Sequence, residues 1–273
     1  MNAHTPPFHF RADPEWAVPA LEAAGVDCAT LANNHALDYG PRALADTLEA
    51  LSAAGIAPVG AGPDWGAAWT PVSVTVGGLD VAVAAFTDNT PEYAADRDSP
   101  GVAHAPIDVD DDTTRERVGN ALAAARERDP DVLIASLHWG PNMEAHPPEE
   151  FRRFARRLVD RGVDLLHGHS AHVLQGVEVH DGAPIVYDAG DFVDDYAVDE
   201  ELRNDRSALF EARVDDGDVA ELRALPVEID RCAVRRAEGA PADWIRERLR
   251  ERSAPFGTDF ERDGAALVVR ANA

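Results

Sequence analysis

The chain has 273 residues, and its 50 acidic residues outnumber 25 basic ones, all arginine, to give a formal net charge of −25. This length suits one large α/β domain or two smaller ones, and the lack of a basic stripe excludes nucleic acid as a partner. Such a surface repels itself in dilute buffer, whereas at roughly 1 M salt the Debye length falls to about 3 Å. We therefore expect a high-salt environment, the alternative being an acidic protein from an ordinary host.

The first 14 residues contain no apolar stretch of the secretory type, and no apolar run approaches the length of a membrane span. The sequence as given therefore predicts a cytoplasmic protein without a membrane span. Its two cysteines, Cys28 and Cys232, lie far apart and match no metal or redox spacing, so each is interpreted as a free thiol.

Apolar periodicity and capping residues predict helices that alternate with strands along most of the chain. The predicted helices span 16–24, 41–54, 113–128, 148–161 and 242–252. The predicted strands span 26–32, 56–59, 70–76, 79–86, 131–137, 163–166, 173–179, 184–187, 208–214, 219–225 and 266–269. Residues 88–112 are rich in Pro and Asp and are predicted to form a surface loop.

Three turn signals join pairs of these strands into hairpins. They are Gly77-Gly78, His180-Asp181-Gly182 and the acidic turn 215–218. Alternating helices and strands followed by hairpins indicate an α/β fold, a mixed β-sandwich flanked by helices. We expect a single domain over residues 1–273, with 226–273 as a C-terminal extension.

Histidines follow three of the apolar strands. Strand 26–32 leads to the segment 33–40, strand 131–137 leads to His138, and strand 163–166 leads to the histidine-rich segment 167–172. Ligands in open α/β sheets bind beyond the carboxyl ends of the strands, so these segments are expected to converge.

Imidazole nitrogens and a side-chain amide oxygen suit Mn, Fe or Zn better than Ca or Mg. A metal held there can polarise a phosphoryl or carbonyl oxygen and lower the pKa of bound water. His169 with His172 gives the tightest local signal, and His35 followed by Asp38 is typical of a histidine whose tautomer is fixed by a carboxylate.

Each of these features also has an ordinary structural interpretation. His138 alone is typical of a polar loop residue, and Asn33-Asn34 alone is typical of a turn. The acidic pair Asp194-Asp195 is interpreted as a solvated face, and His180 as a surface residue. Only the combination of motifs favours a functional site.

Four segments, taken together and in this order, resemble a known family. They are Ala32-Asn33-Asn34-His35-Ala36-Leu37-Asp38-Tyr39-Gly40, Leu137-His138-Trp139-Gly140, Gly168-His169-Ser170-Ala171-His172-Val173-Leu174-Gln175 and Tyr187-Asp188-Ala189-Gly190-Asp191-Phe192. The chain resembles the CapA family of capsule (poly-γ-glutamate) biosynthesis proteins, within the metallo-dependent phosphatase-like superfamily. The resemblance runs from about residue 8 to residue 225.

The resemblance implies a role for each matched residue. Asn34, His138, His169 and His172 would ligate a divalent transition metal (Mn, Fe or Zn, one or two ions). His35 would act as acid or transition-state stabiliser, oriented by Asp38. The residues implied in binding a small-molecule or polyanionic substrate are Asn33, Trp139, Tyr187 and Asp191. Because this sequence has one more residue between its paired histidines than the superfamily usually has, His167 stays an alternative to His169.

Two motifs of the family are missing from the sequence. Its members begin with strands ending in Gly-Asp and Asn-Leu-Glu, and neither motif precedes Asn33. We therefore expect a chain truncated at its N-terminus that lacks its first strands. Two divalent ions about 4 Å apart repel by roughly 17 kcal/mol at an effective dielectric of 20, so without the family's acidic ligands we expect one ion at most.

The resemblance implies two functions. The first is a metal-dependent, phosphoesterase-type hydrolase linked to capsule or poly-γ-glutamate biosynthesis. The alternative is a non-catalytic assembly or anchoring subunit of a polyglutamate-synthesis complex, which keeps the fold with an incomplete metal site.

Overall fold

A computed structural model describes residues 8–108 and 110–271, and these form helices packed on two larger sheets and two small ones. The helices are α1 (Pro14–Ala23), α2 (Gly40–Ala53), α3 (Trp65–Ala68), α4 (Asp112–Arg126), α5 (Glu149–Val159) and α6 (Gly239–Ser253). The strands are β1 (Cys28–Thr30), β2 (Ala57–Val59), β3 (Ala61–Gly62), β4 (Val72–Val76), β5 (Leu79–Thr87), β6 (Gly101–Val102), β7 (Val132–His138), β8 (Leu165–His169), β9 (Val177–His180), β10 (Ala183–Val186), β11 (Arg206–Asp215), β12 (Asp218–Asp230), β13 (Ala233–Arg236), β14 (Glu261–Asp263) and β15 (Ala266–Arg270).

The central sheet has six strands in the order β4-β5-β7-β8-β10-β9. β5, β7, β8 and β10 run parallel, and β4 and β9 are antiparallel edge strands. The carboxyl ends of the four parallel strands therefore lie at one edge of this sheet. Polar residues lie at or just after the carboxyl end of each of the four strands.

The second sheet is antiparallel, with the order β11-β12-β15-β14 and β13 paired to β12. Residue 226, the expected start of a C-terminal extension, falls inside β12, and β15 pairs with β12 along Glu221–Ala224. The residues after 226 therefore complete this sheet.

Two large apolar cores hold the layers together. On one face of the central sheet, α4 and α5 pack through residues such as Leu122, Phe154 and Leu158. The second core joins β9 and β10 to the second sheet, with Ile245 and Leu249 of α6 among its members. Mixed sheets flanked by helices confirm the expected fold class.

Local sequence explains many of the element boundaries. The Asp13 side chain caps α1 by accepting from Glu15 N–H at 2.9 Å, with Pro14 at the first helical position. Gly77 and Gly78 both adopt positive φ between β4 and β5, as a tight hairpin turn requires. All three predicted hairpins are confirmed as antiparallel pairs.

Two predictions about the strands that lead to the histidine-bearing segments need correction. The strand expected at 26–32 is only three residues long, and it pairs with β2 in a small sheet outside the central one. His138, His167 and His169 were expected in loops, but they lie on β7 and β8 themselves because strand pairing continues through them.

No helix within residues 8–108 and 110–271 combines the length and the apolar character needed to cross a bilayer.

Candidate functional site

The ends of β7 and β8 place three histidines side by side. His138 and His169 are register partners in the parallel pair, and their ring centroids are 5.3 Å apart. His167 lies two residues earlier on β8, so its side chain shares a face with His169, and the two rings stack at 5.2 Å. Ser136 Oγ lies 3.1 Å from His167 Nδ1 on that face.

Burial keeps these imidazoles neutral. Burial is the main cause that lowers the pKa of His138 to about 3, with smaller contributions from His172 and His35. Burial also lowers the pKa of His167 to about 4 and holds that of His169 well below its ordinary value. Neutral imidazole is the form that binds transition metals.

The loop after β1 holds His35 in a fixed orientation. Asn33 Oδ1 accepts from the His35 main-chain N–H at 2.8 Å, which closes a tight turn. His35 Nδ1 then lies 2.9 Å from Asp38 Oδ2, and the same oxygen accepts from the Phe10 main-chain N–H at 2.8 Å. The Asp38 side chain is only 2% exposed, so the carboxylate that orients His35 is buried.

A second His–Asp pair lies in the segment after β8. His172 has a positive φ of 60°, and its Nδ1 lies 2.7 Å from Asp191 Oδ1. Burial by itself lowers the pKa of His172, but the hydrogen bond to Asp191 and the charges of Asp191, Asp188 and Asp194 outweigh it and raise the pKa. His172 therefore binds a proton more readily than the strand histidines.

Two aromatic side chains connect the two pairs. The Phe10 ring packs edge-on against His35 at 4.6 Å, and the Tyr196 ring packs edge-on against His172 at 4.9 Å. Phe10 and Tyr196 also contact each other at 5.8 Å. The two His–Asp pairs therefore belong to one site. His172 and His35 both influence the pKa of His138, so the strand histidines belong to the same site.

Asp188 is a residue of the site that the sequence analysis passed over. It follows β10, is 1% exposed, and accepts from Ala171 N–H at 2.6 Å and from Gly190 N–H at 2.8 Å. Burial is the main cause that raises its pKa to about 7. Asp188 fixes the backbone between His169 and His172. Its place in the fourth motif is the signal that could have identified it.

Asp88 and Asn89 are two further residues that were missed. Their segment was predicted to be a surface loop, but Asp88 accepts from Gly140 N–H at 3.2 Å, and burial chiefly raises its pKa to about 6. Thr87 Oγ1 and Asn89 Nδ2 lie 3.1 and 3.4 Å from His138 Nδ1. The sequence signal that could have identified Asp88 and Asn89 was their position directly after the nine-residue strand β5.

The sequence profile described as bacterial capsule synthesis protein PGA_cap matches residues 2–196 of this chain. The chain belongs to the PGA_cap family. It is 38% identical over 265 residues to a probable polyglutamine synthesis accessory protein of Mycobacterium tuberculosis, covering 92% of this chain and 68% of that protein.

A second relative is the capsule biosynthesis protein CapA of Bacillus anthracis, which is 31% identical over 228 residues, covering 83% of this chain and 52% of that protein. The chain thus spans about half the length of that relative. Among solved structures, a hypothetical protein from Thermus thermophilus superposes with a TM-score of 0.49 at 16% identity, covering 77% of this chain and 79% of that one.

Two residues that the CapA resemblance placed at the substrate lie in the core instead. Tyr187 is fully buried and donates its hydroxyl to Glu178 Oε2 at 2.6 Å. Trp139 is 4% exposed, and its Nε1–H donates to the Tyr187 carbonyl at 2.9 Å. Neither side chain is open to a substrate, which corrects the expectation for this pair. Asp191 does lie at the site, through its contact with His172.

The donors at the site fit a divalent transition metal in their chemistry. Besides the neutral strand imidazoles, the site has three carboxylates with a buried oxygen that lacks a hydrogen-bond partner, namely Asp38 Oδ1, Asp191 Oδ2 and Asp194 Oδ2. Asp194 was interpreted as part of a solvated face. It is half-buried instead, and burial followed by the neighbouring Asp191 carboxylate raises its pKa to about 6.

The distances between the side chains support fewer metal ligands than the types of donor atom suggest. Across residues 8–108 and 110–271, one group of three His, Cys, Asp or Glu residues brings its ligand atoms within 4.8 Å of one another, and it lies away from these histidines. His138 and His169, whose ring centroids lie 5.3 Å apart, stay the first expected ligands, with Asn34, in the turn beside His35, and His172 as the further ones.

Proposed function

We propose that this PGA_cap domain is a metal-dependent hydrolase of the phosphoesterase type that acts in the biosynthesis of capsule or polyglutamate. The observation that carries the proposal is the pairing of His35 with the buried Asp38, next to the neutral imidazoles at the ends of β7 and β8. A histidine held by a buried carboxylate is suited to move a proton, and neutral buried imidazoles are suited to bind a metal.

Asn34, His138, His169 and His172 would hold one Mn, Fe or Zn ion. When bound, such an ion supplies Lewis-acid polarisation of a substrate oxygen and neutralises developing negative charge. It would also offset part of the negative charge at the site, which repels a polyanionic substrate.

His35 is assigned the proton transfer. With Nδ1 engaged by Asp38, the free Nε2 of the ring is the atom that exchanges a proton with the leaving group. Asp38 is itself held by the Phe10 N–H, so its orientation does not depend on the substrate. General acid catalysis of this kind contributes about 10² to 10⁴ in rate. The bond cleaved is a phosphoester or, as a second possibility, an amide.

The alternative function is a non-catalytic accessory subunit of a polyglutamate-synthesis complex. Two observations favour it: the M. tuberculosis relative is named an accessory protein, and the histidines at the site do not bring three ligand atoms together. The buried His35–Asp38 pair argues against it, because an assembly subunit has no need of an oriented imidazole.

An assay on the metal-loaded chain separates the two functions. The purified protein is loaded with Mn²⁺ or Zn²⁺ in high salt and incubated with p-nitrophenyl phosphate, bis(p-nitrophenyl) phosphate and γ-glutamyl p-nitroanilide. We expect metal-dependent turnover of at least one compound, which His35→Gln lowers by about 10² to 10⁴. Replacing the exposed His146 in His146→Gln is expected to leave this turnover unchanged. Turnover that is absent, or equal in wild type and His35→Gln, would favour the accessory function.

A further inference from the structure

A group of potential metal ligands, separate from the histidine cluster, lies at the turn between β9 and β10. His180 Nε2 lies 3.1 Å from Asp160 Oδ1 and 3.9 Å from Asp181 Oδ2. One ligand atom from each of the three residues lies within 4.8 Å of the others. We name this group the turn cluster.

Three elements of fixed geometry supply the turn cluster. Asp160 is the C-cap of α5, His180 is the last residue of β9, and Asp181 is the first turn residue. Asp181 and Gly182 adopt φ of 46° and 84°, the left-handed pair required by a two-residue hairpin turn. The turn therefore fixes the main-chain conformation of Asp181, the residue that carries this carboxylate.

The turn cluster lies at the opposite edge of the central sheet from the candidate site. β8 and β10 run parallel, with His169 and Asp188 at their carboxyl ends. His180 and Asp181 precede β10 and therefore lie at its amino end. An ion at this position would therefore have no ligand in common with an ion held by His138 and His169.

We propose that Asp160, His180 and Asp181 bind a divalent first-row transition metal such as Zn²⁺. One imidazole with two carboxylates is a donor set that such ions accept. Neighbouring ligands at about 2.1 Å from an ion lie about 3.0 to 3.4 Å apart, so the observed separations need only a small side-chain adjustment.

The surroundings also favour a cation at the turn cluster. Asp160 is at the C-terminus of an 11-residue helix, where unpaired carbonyls carry partial negative charge. The side chains of Asp160 and Asp181 are 54% and 78% exposed, so an ion has free access from solvent. A bound ion would link the end of α5 to the β9–β10 hairpin and stabilise the folded chain.

The chain offers a matched control for this proposal. Asp216 has a φ of 52° and precedes Gly217 in the β11–β12 turn, so it reproduces the backbone setting of Asp181. Asp216→Asn and Asp181→Asn therefore make the same chemical change at the same kind of turn position. Both turns have further carboxylates, but only Asp181 has a histidine beside it.

Isothermal titration of Zn²⁺ into the tag-free full chain, in high salt, tests the proposal. We expect Asp181→Asn and His180→Gln each to weaken one binding event by about tenfold or more, and Asp216→Asn to leave it unchanged. Any zinc bound at His138 and His169 stays in all three variants, so the result does not depend on the proposed hydrolase function.

Two results would overturn the proposal. Equal weakening by Asp181→Asn and Asp216→Asn would mean that zinc responds only to overall negative charge. Unchanged zinc binding in His180→Gln would mean that His180 and Asp160 form a surface ion pair. Thermal unfolding of each metal-free variant shows whether its fold is retained in either case.

Discussion

His35 and Asp38 lie three residues apart in one loop, whereas His172 and Asp191 meet across 19 residues of chain. The first carboxylate is 2% exposed and is held by a main-chain N–H, and the second is 12% exposed and has another carboxylate beside it. The first pair is therefore held by contacts of its own loop and of Phe10, and the second is set by the packing of two segments. We infer that the His35 pair carries proton transfer and that the His172 pair adjusts the metal environment.

Replacing His35 should have the largest effect on activity. Loss of a general acid costs about 10² to 10⁴ in kcat, so His35→Gln is expected to lower kcat by that factor while metal content stays the same. Steady-state kinetics and elemental analysis of the same preparation measure both. If His35→Gln lost its metal together with its activity, the proposed division between the two pairs would be wrong.

Replacing Asp191 should affect the second pair alone. Removing a carboxylate that orients a metal-ligating histidine typically costs 10 to 100-fold in metal affinity or activity, so Asp191→Asn is expected to weaken metal binding by about that factor. The exposed Asp195 in the same segment gives the control variant Asp195→Asn. Metal titration by calorimetry compares them, and equal affinities in the two variants would contradict the assignment of His172 to the metal environment.

Asp188 supports the second pair through the backbone. Asp188→Ala leaves the N–H groups of the buried Ala171 and the half-buried Gly190 without their acceptor, which is expected to lower the free energy of unfolding by about 1 to 3 kcal/mol. Chemical denaturation measures this, with Asp195→Ala as the exposed control. No difference between the two variants would show that Asp188 does not hold the segment around His172.

The smallest effect is expected at the aromatic contact between the pairs. An edge-on aromatic contact contributes about 0.5 to 1.5 kcal/mol, so Phe10→Ala is expected to reduce kcat/KM by about 2 to 10-fold. The Phe10 main-chain N–H that binds Asp38 is retained in this variant. A loss as large as that of His35→Gln would mean that Phe10 does more than pack against the ring.

The sequence revealed those parts of the site whose residues interact over a short distance along the chain. His35 and Asp38 were identified because a three-residue spacing within one motif is visible in the chain. Two apolar strands with histidines at their ends likewise indicated that His138 and His169 would lie close together, and the register of β7 and β8 places them as partners.

Non-local contacts were the ones that sequence reasoning missed or misassigned. Asp88 and Asp188 act through main-chain N–H groups of distant segments, and no spacing rule shows such contacts. Tyr187 and Trp139 carry polar atoms that suggested substrate contact, but their partners lie within the core. The identity of an aromatic residue does not show whether its side chain faces the core or the substrate site.

The central claim is that β7 and β8 end in a metal site next to the His35–Asp38 pair. Anomalous diffraction from crystals of the Mn²⁺- or Zn²⁺-loaded chain, recorded at the absorption edge of the metal, tests it most directly. We predict an anomalous peak about 2.0 to 2.2 Å from a ring nitrogen of both His138 and His169, with Asn34 in the coordination sphere. Metal-loaded crystals with no peak at these histidines would contradict that claim.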